Sequence, residues 1–224
     1  MQEGAGLKNK VFVLGTIAIA IGVFAAIYLL SLRPSSATQE AKQAFTMAPT
    51  YRFNNHTYGN PSAVVMVVEF FDPECEACRQ VHPIMKRLIK EYGGKVKFVH
   101  RYMPLHGGSM FASAALEEAR ELNKYDEALD ILFERQPIWG DHANPRPELI
   151  SVYLMEIGIP KDKLTEDYLM NKHGAKVMQD RDDGKALGVK LTPTIIVNGT
   201  ALNEIGESAI RFAIEDALKM SQQK

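Results

Sequence analysis

The chain holds two cysteines, and they stand three positions apart as Cys75-Glu76-Ala77-Cys78. They follow an apolar run, AVVMVVEFF over 63–71, and open a segment with helical periodicity. A thiol at a helix N-terminus faces free backbone N–H groups and the positive end of the helix dipole, both of which favour thiolate. The second thiol, one turn on, falls on the helix's apolar stripe, where solvent and oxidants reach it poorly. One exposed attacking sulfur and one sheltered resolving sulfur make a dithiol suited to exchange with other disulfides. Half of a zinc site is the competing reading. It needs two further ligands, yet there is no second C-x-x-C, and His82, His100 and His106 are not spaced as a ligand pair. A permanent structural bridge across four residues would close too small a loop to constrain the unfolded chain.

The flanking pattern supplies elements to hold this pair. The β-branched and aromatic run 63–71 predicts a strand buried on both faces, ended by Asp72-Pro73. From Cys75 to Tyr92 the apolar positions Cys78, Val81, Met85, Leu88 and Tyr92 mark one helix stripe, with Pro83 kinking it. Gly93-Gly94 turns the chain into a second strand, 95–102, giving a βαβ unit with a parallel pair. Helical periodicity follows over 109–122, 124–135 and 147–157, then one or two helices over 164–187 capped by Gly188. Thr194–Val197, Asn198-Gly199 and Ala201–Glu204 predict a hairpin with a type I′ turn, and 207–220 a last amphipathic helix. A short strand or hairpin is predicted over 51–58. The order implies an α/β domain over 51–221 with an all-helical insertion at about 108–175.

With these motifs in place the chain resembles the DsbA family of thioredoxin-fold thiol–disulfide oxidoreductases over about residues 50–221. Glu69 lies six residues before Cys75, where thioredoxin-like proteins carry a buried acid. Cys75 and Cys78 match the redox motif, and Pro83 the family's helix proline. Gly188-Val189-Lys190-Leu191-Thr192-Pro193-Thr194 with Val197-Asn198-Gly199 is similar to the cis-proline loop and its hairpin. The resemblance implies that Cys75 attacks and Cys78 resolves, without a cofactor or metal. Glu69 would take the Cys78 proton, or else pair with a cation such as Lys97 or Arg101 on the next strand. Thr192 and Pro193 would face the cysteines and pair with an extended substrate. Trp139 is expected either to border the substrate groove or to fill the junction of insertion and core. Met103 and Met110 would offer adaptable surface for clients or pack in the core.

Glu76-Ala77 is the redox-tuning dipeptide, where strongly oxidising DsbA proteins carry Pro-His. Glu74 and Glu76 beside Cys75 are expected to raise its pKa and weaken it as an oxidant, with Arg79 offsetting them. Thr192 before the proline leaves the direction of electron flow open.

The rest of the chain sets the context. Lys8 and Lys10 precede an uncharged run from Val11 to Leu32, long enough at ~1.5 Å per residue to cross a bilayer core. This predicts a cytoplasmic N-terminus over 1–10, a transmembrane anchor over 11–32 and a linker over 33–50, with a cleaved signal peptide as the alternative. The catalytic domain would then sit on the periplasmic side of a bacterial inner membrane. With 26 Lys+Arg against 27 Asp+Glu, nothing suggests a nucleic-acid partner. The expected partners are unfolded or reduced extracytoplasmic proteins and a membrane redox partner, either a DsbB-like oxidant or a DsbD-like reductant. A reductase or isomerase fed by such a donor, and a chaperone-like binding module with incidental cysteines, are the alternatives.

Overall fold

A computed structural model describes residues 49–223. The anchor expected over 11–32, the cytoplasmic N-terminus over 1–10 and nearly all of the linker over 33–50 lie outside the described residues. Among those described, no helix is long and apolar enough to cross a membrane.

Five strands form one sheet: β1 (His56–Gly59), β2 (Val65–Phe71), β3 (Val96–Tyr102), β4 (Thr194–Val197) and β5 (Thr200–Ala201), in the order β1-β3-β2-β4-β5. β2 and β3 are parallel, joined by helix α1 (Glu76–Tyr92), and the other pairings are antiparallel. The hairpin turn has Asn198 at φ 45° and Gly199 at φ 86°, the two left-handed residues that a type I′ turn requires. Its second strand is only two residues long, shorter than the pattern implied. The first strand likewise begins at His56, not at residue 51.

Side chains alternate along a strand, so each strand presents two residue sets to two faces. On one face Val65 and Val67 of β2 and Val96 and Phe98 of β3 pack with Val81, Met85 and Leu88 of α1 and with Ile210 and Ile214 of helix α6 (Glu207–Ser221). Glu69 and His100 continue the same parity on that face. On the other face Val68, Phe70, Val99, Ile196 and Met103 form a second apolar cluster. Met103 is therefore a core residue and not client surface.

The helical block comprises α2 (Ser109–Glu121), α3 (Tyr125–Trp139), α4 (Glu148–Glu156), a 3-10 turn (Lys161–Leu164) and α5 (Glu166–Ala186). α3 runs four residues past the expected end at Arg135, because Pro137 removes a single donor in the last turn and leaves the others intact. α5 is one unbroken helix, so a boundary near 175 falls inside it. Its upstream half packs in the insertion through Leu169 and Val177, and its far end lies on the sheet. There a Cβ on Gly184 would come to 3.0 Å from Met103 Sδ and Phe70 Cε1, so a larger residue would require those two side chains to shift. The helix ends as the sequence implies. Gly188 (φ 77°) and Val189 donate to the carbonyls of Lys185 and Gly184, a Schellman closure.

α5 is held to β3 by a buried ion cluster. The Arg101 guanidinium, fully buried, donates to Asp180 Oδ1 at 2.8 Å and to Asp183, while Arg52 Nε reaches Asp183 Oδ2 at 2.5 Å. Arg101 is thereby spent on the face opposite Glu69.

Candidate active site

Cys75 is the N-cap of α1, with no side-chain cap on the helix, so the first-turn N–H groups point at its sulfur. It is 8% exposed, less open than expected of an attacking thiol, whereas Cys78 is at 0%. Both are free thiols. The cover over Cys75 is the loop after α5. A cis Thr192-Pro193 bond sets the Thr192 carbonyl 3.3 Å from Cys75 Sγ, which donates to it in the thiol form.

The electrostatics separate the two sulfurs. Cys75 is pulled down to about 5, first by a hydrogen bond from the Cys78 thiol. Burial opposes this, and the Thr192 side chain and the N–H groups of Cys78 and Ala77 add to it. Cys78 is pushed well up, first by burial, then by its bond to Cys75 and the nearby charge of Glu69. At neutral pH Cys75 is a thiolate and Cys78 a thiol.

This corrects the expectation that the flanking acids raise Cys75. Glu74 is buried and turned away, its Oε2 accepting from Gly108 N at 2.7 Å and Ser109 Oγ at 3.3 Å. Glu76 is an exposed partner of His142, at 3.0 Å. Arg79 offsets neither, because its Nε donates to Gln136 Oε1 at 2.9 Å. Of the dipeptide, Ala77 acts through its backbone N–H.

Residues that the sequence reading passed over hold the loop. Buried Asp72 accepts from Glu74 N and Ser109 Oγ on Oδ1, and from Leu105 N and His106 Nδ1 on Oδ2, the last at 2.7 Å. Its own N–H lies 3.4 Å from Cys78 Sγ. Gln136 donates to both the Pro73 and Cys75 carbonyls, at 2.8 and 3.0 Å. A lone Asp or Gln carries no motif, but Asp72 ending a buried strand directly before the cysteines was a usable signal. Trp139 is buried and donates to Leu132 O at 2.8 Å, which places it at the junction and not in a groove.

Glu69 is 4% exposed and its cross-strand partner in register is His100. His100 Nε2 is 3.4 Å from Glu69 Oε2. Neither expected cation reaches the carboxylate: Arg101 binds Asp180 and Asp183, and Lys97 lies over the Tyr51 ring. Both have the wrong parity on β3, one residue off the facing set.

Among the described residues, one group gathers metal-ligand atoms away from the cysteines: Glu118, Glu121 and His173. The Lys172 ammonium already sits 2.7 Å from both Glu118 Oε2 and Glu121 Oε2, so cation charge is met from within the chain.

The thioredoxin family profile matches residues 52–216. The chain belongs to the thioredoxin family. Its structural neighbours include the oxidised BdbD of Bacillus subtilis, with a TM-score of 0.66 and 28% identity, covering 74% of this chain and 93% of that one. Another is a thioredoxin-like oxidoreductase from Silicibacter pomeroyi, with a TM-score of 0.64 and 26% identity over 76% of this chain and 95% of that one. The DsbA-type resemblance drawn from the motifs therefore holds at the level of the whole described fold. Among curated sequences, the Na(+)/H(+) antiporter NhaA 3 of Salinispora tropica is 32% identical over 157 residues, 68% of this chain. Only 23% of that antiporter's length is matched, and this thioredoxin-family chain spans about a quarter of the length of such relatives.

Proposed function

We propose that this chain is a protein thiol–disulfide oxidoreductase of DsbA type that oxidises dithiols in folding proteins outside the cytoplasm. The observation that carries the reading is the split between a Cys75 held as thiolate under Thr192 and a Cys78 held as thiol in the core. In the oxidising direction a client thiolate attacks Cys75 Sγ of the Cys75–Cys78 disulfide, and Cys78 leaves with the electron pair. A second client thiolate then attacks the client sulfur of the mixed disulfide and expels Cys75 as thiolate. A low Cys75 pKa stabilises that leaving group and the reduced protein, which favours the oxidase direction over a reductase. In the reverse direction Cys78 attacks the mixed disulfide, and Glu69, whose charge acts on the thiol from the sheet face that α1 covers, is the base that takes its proton.

Leu191, 60% exposed beside Thr192, and Leu105 offer apolar surface near the cysteines for unfolded segments. The uncharged run 11–32 supports a membrane tether, with the catalytic domain on the periplasmic side and a DsbB-like oxidant recharging the pair.

The test uses the full chain with a reduced two-cysteine client. Cys78→Ser is expected to accumulate a client adduct through Cys75, and Cys75→Ser to form none and lose exchange. Exchange that persists in Cys75→Ser would overturn the reading, and client holding without exchange in the unmodified chain would favour a chaperone.

A further inference from the structure

We propose that His106, aligned by Asp72, exchanges the proton of the client sulfur at Cys75. As neutral imidazole it takes the proton of an arriving client thiol, and as imidazolium it returns one to a departing client thiolate. This rests on the proposed exchange reaction and assigns the group that serves the client's side of it. Asp72 Oδ2 accepts from His106 Nδ1 and from Leu105 N, both at 2.7 Å, so one buried carboxylate fixes the ring and its backbone together. His106 N also donates to Ser109 Oγ at 3.2 Å, and that hydroxyl donates to Asp72 Oδ1. A carboxylate that only accepts keeps the proton of the neutral imidazole on Nδ1 and leaves the lone pair on Nε2. Nε2 is neither buried nor hydrogen-bonded among the described residues, and the side chain is 29% exposed.

The ring stands beside the cysteine because both are tied to the same residues. The main-chain carbonyl of Asp72 accepts from Cys75 N at 3.1 Å. On its other side the His106 ring meets that of His142, with 5.1 Å between centroids, and His142 Nε2 reaches Glu76, the residue after Cys75, at 3.0 Å. Contacts to residues 72 and 76 thus bracket the imidazole at the start of α1. The titratable groups around it are Asp72 at the end of β2, Glu74 and Cys75 in the loop, Glu76 on α1 and His142 after α3. Burial lowers the His106 pKa, but the hydrogen bond to Asp72 and the charges of Asp72, Glu74 and Cys75 outweigh it and hold the ring above its ordinary 6.5. His106 therefore gains and releases a proton near neutral pH. His142 does not suit the task, since its Nε2 is taken by Glu76 and no buried carboxylate among the described residues aligns its ring.

In the oxidising direction the client thiol gives its proton to Nε2 and the client thiolate attacks Cys75 Sγ. The Cys75–Cys78 bond breaks with its electron pair on Cys78, which regains a proton from Glu69. The imidazolium passes its proton to solvent and is ready for the second client thiol. That thiol loses its proton by the same route, its sulfur attacks the client sulfur of the mixed disulfide, and Cys75 leaves as thiolate. In the reverse direction the Cys75 thiolate attacks a client disulfide, the far client sulfur leaves with the electron pair, and the imidazolium protonates it.

The reverse half-reaction tests this in the full-length reduced chain carrying Cys78→Ser, which stops at the Cys75 adduct. Two disulfides are offered at high salt, which screens the charges of the probes. Ellman's reagent releases an aryl thiolate that needs no proton, whereas 2-hydroxyethyl disulfide releases a strongly basic alkyl thiolate that does. At about pH 6.5, adding His106→Gln is expected to slow adduct formation with the alkyl disulfide at least tenfold, and with Ellman's reagent less than twofold. With His106 in place the alkyl rate should fall as pH rises from about 6 to 9 and the imidazolium is lost, and with Gln it should stay flat. Asp72→Asn should move that fall to lower pH, and should add no pH dependence once His106 is Gln, which a merely structural Asp72 would not explain. Equal slowing of both reagents, or an alkyl rate unchanged in His106→Gln, would overturn the proposal. Failure of the exchange reading itself looks different: no adduct with either disulfide while His106 is in place.

Discussion

Cys75 Sγ and the main-chain carbonyl of Thr192 lie 3.3 Å apart, although 117 positions separate them in the chain. The contact joins the start of α1 to the end of the helical block and makes the cysteine the meeting point of both halves. A thiolate there cannot donate to the carbonyl, so ionisation exchanges that bond for those from Thr192's side chain and the first-turn N–H groups.

Thiolate absorbance at 240 nm should therefore titrate with a midpoint near pH 5 for Cys75, while Cys78 contributes nothing up to neutral pH. Thr192→Val removes one donor to the charged form and should raise the midpoint by about one to two units, given ~1.5–3 kcal/mol for a bond to a charged group and 1.36 kcal/mol per unit. A midpoint above 8 in the unmodified chain would contradict the geometry.

Glu76→Gln should barely move the redox potential. The carboxylate is exposed and shared with His142, and such surface pairs are worth at most about 1 kcal/mol, or roughly 20 mV for a two-electron couple. Equilibration with glutathione buffers measures this, and a rise of 60 mV would restore the direct electrostatic account.

Gln136→Ala leaves the Pro73 and Cys75 carbonyls and Arg79 without their shared partner. With buried polar groups unsatisfied, urea unfolding should show a loss of about 2–3 kcal/mol. The Cys75 titration should broaden or shift as its loop loosens, whereas a stability change under 0.5 kcal/mol would mean that water replaces the amide.

Asp183 links stability to acid. Burial pushes its carboxyl up, but the hydrogen bonds from Arg52 and Arg101 outweigh it and leave the group below its ordinary 3.8. The unfolded chain thus binds the proton more readily, so stability is present above about pH 4 and lost as pH falls through the folded value. Urea midpoints should drop between pH 5 and 3, and Asp183→Asn should start lower and slope less over that window.

Much of this was legible in residue types and spacing. AVVMVVEFF and the stripe from Cys78 to Leu88 supplied β2, α1 and the cysteine geometry, because continuous burial and one-sided burial leave different periodicities. Glu69 was identifiable as a buried acid, but its partner was not. VKFVHRY is apolar enough on both faces that only the observed pairing with β2 tells His100 from Lys97 and Arg101. The charge effect of Glu74 failed for a related reason. Adjacency in sequence says nothing about side-chain direction, and the Glu74 carboxylate turns to Gly108 and Ser109 in a helix that begins 35 positions later.

α5 runs without interruption from the insertion core to the Schellman cap, and the chain then needs only three residues, 189–191, to reach Thr192. Adding or deleting one residue within that rod would turn everything beyond it by ~100° and slide it by ~1.5 Å. Such a change would lift Thr192 off the sulfur. Chain-length variation compatible with this architecture therefore belongs in the exposed loop over 141–147, while α5 acts as a ruler of fixed count between two parts of the molecule that evolution could otherwise have resized independently.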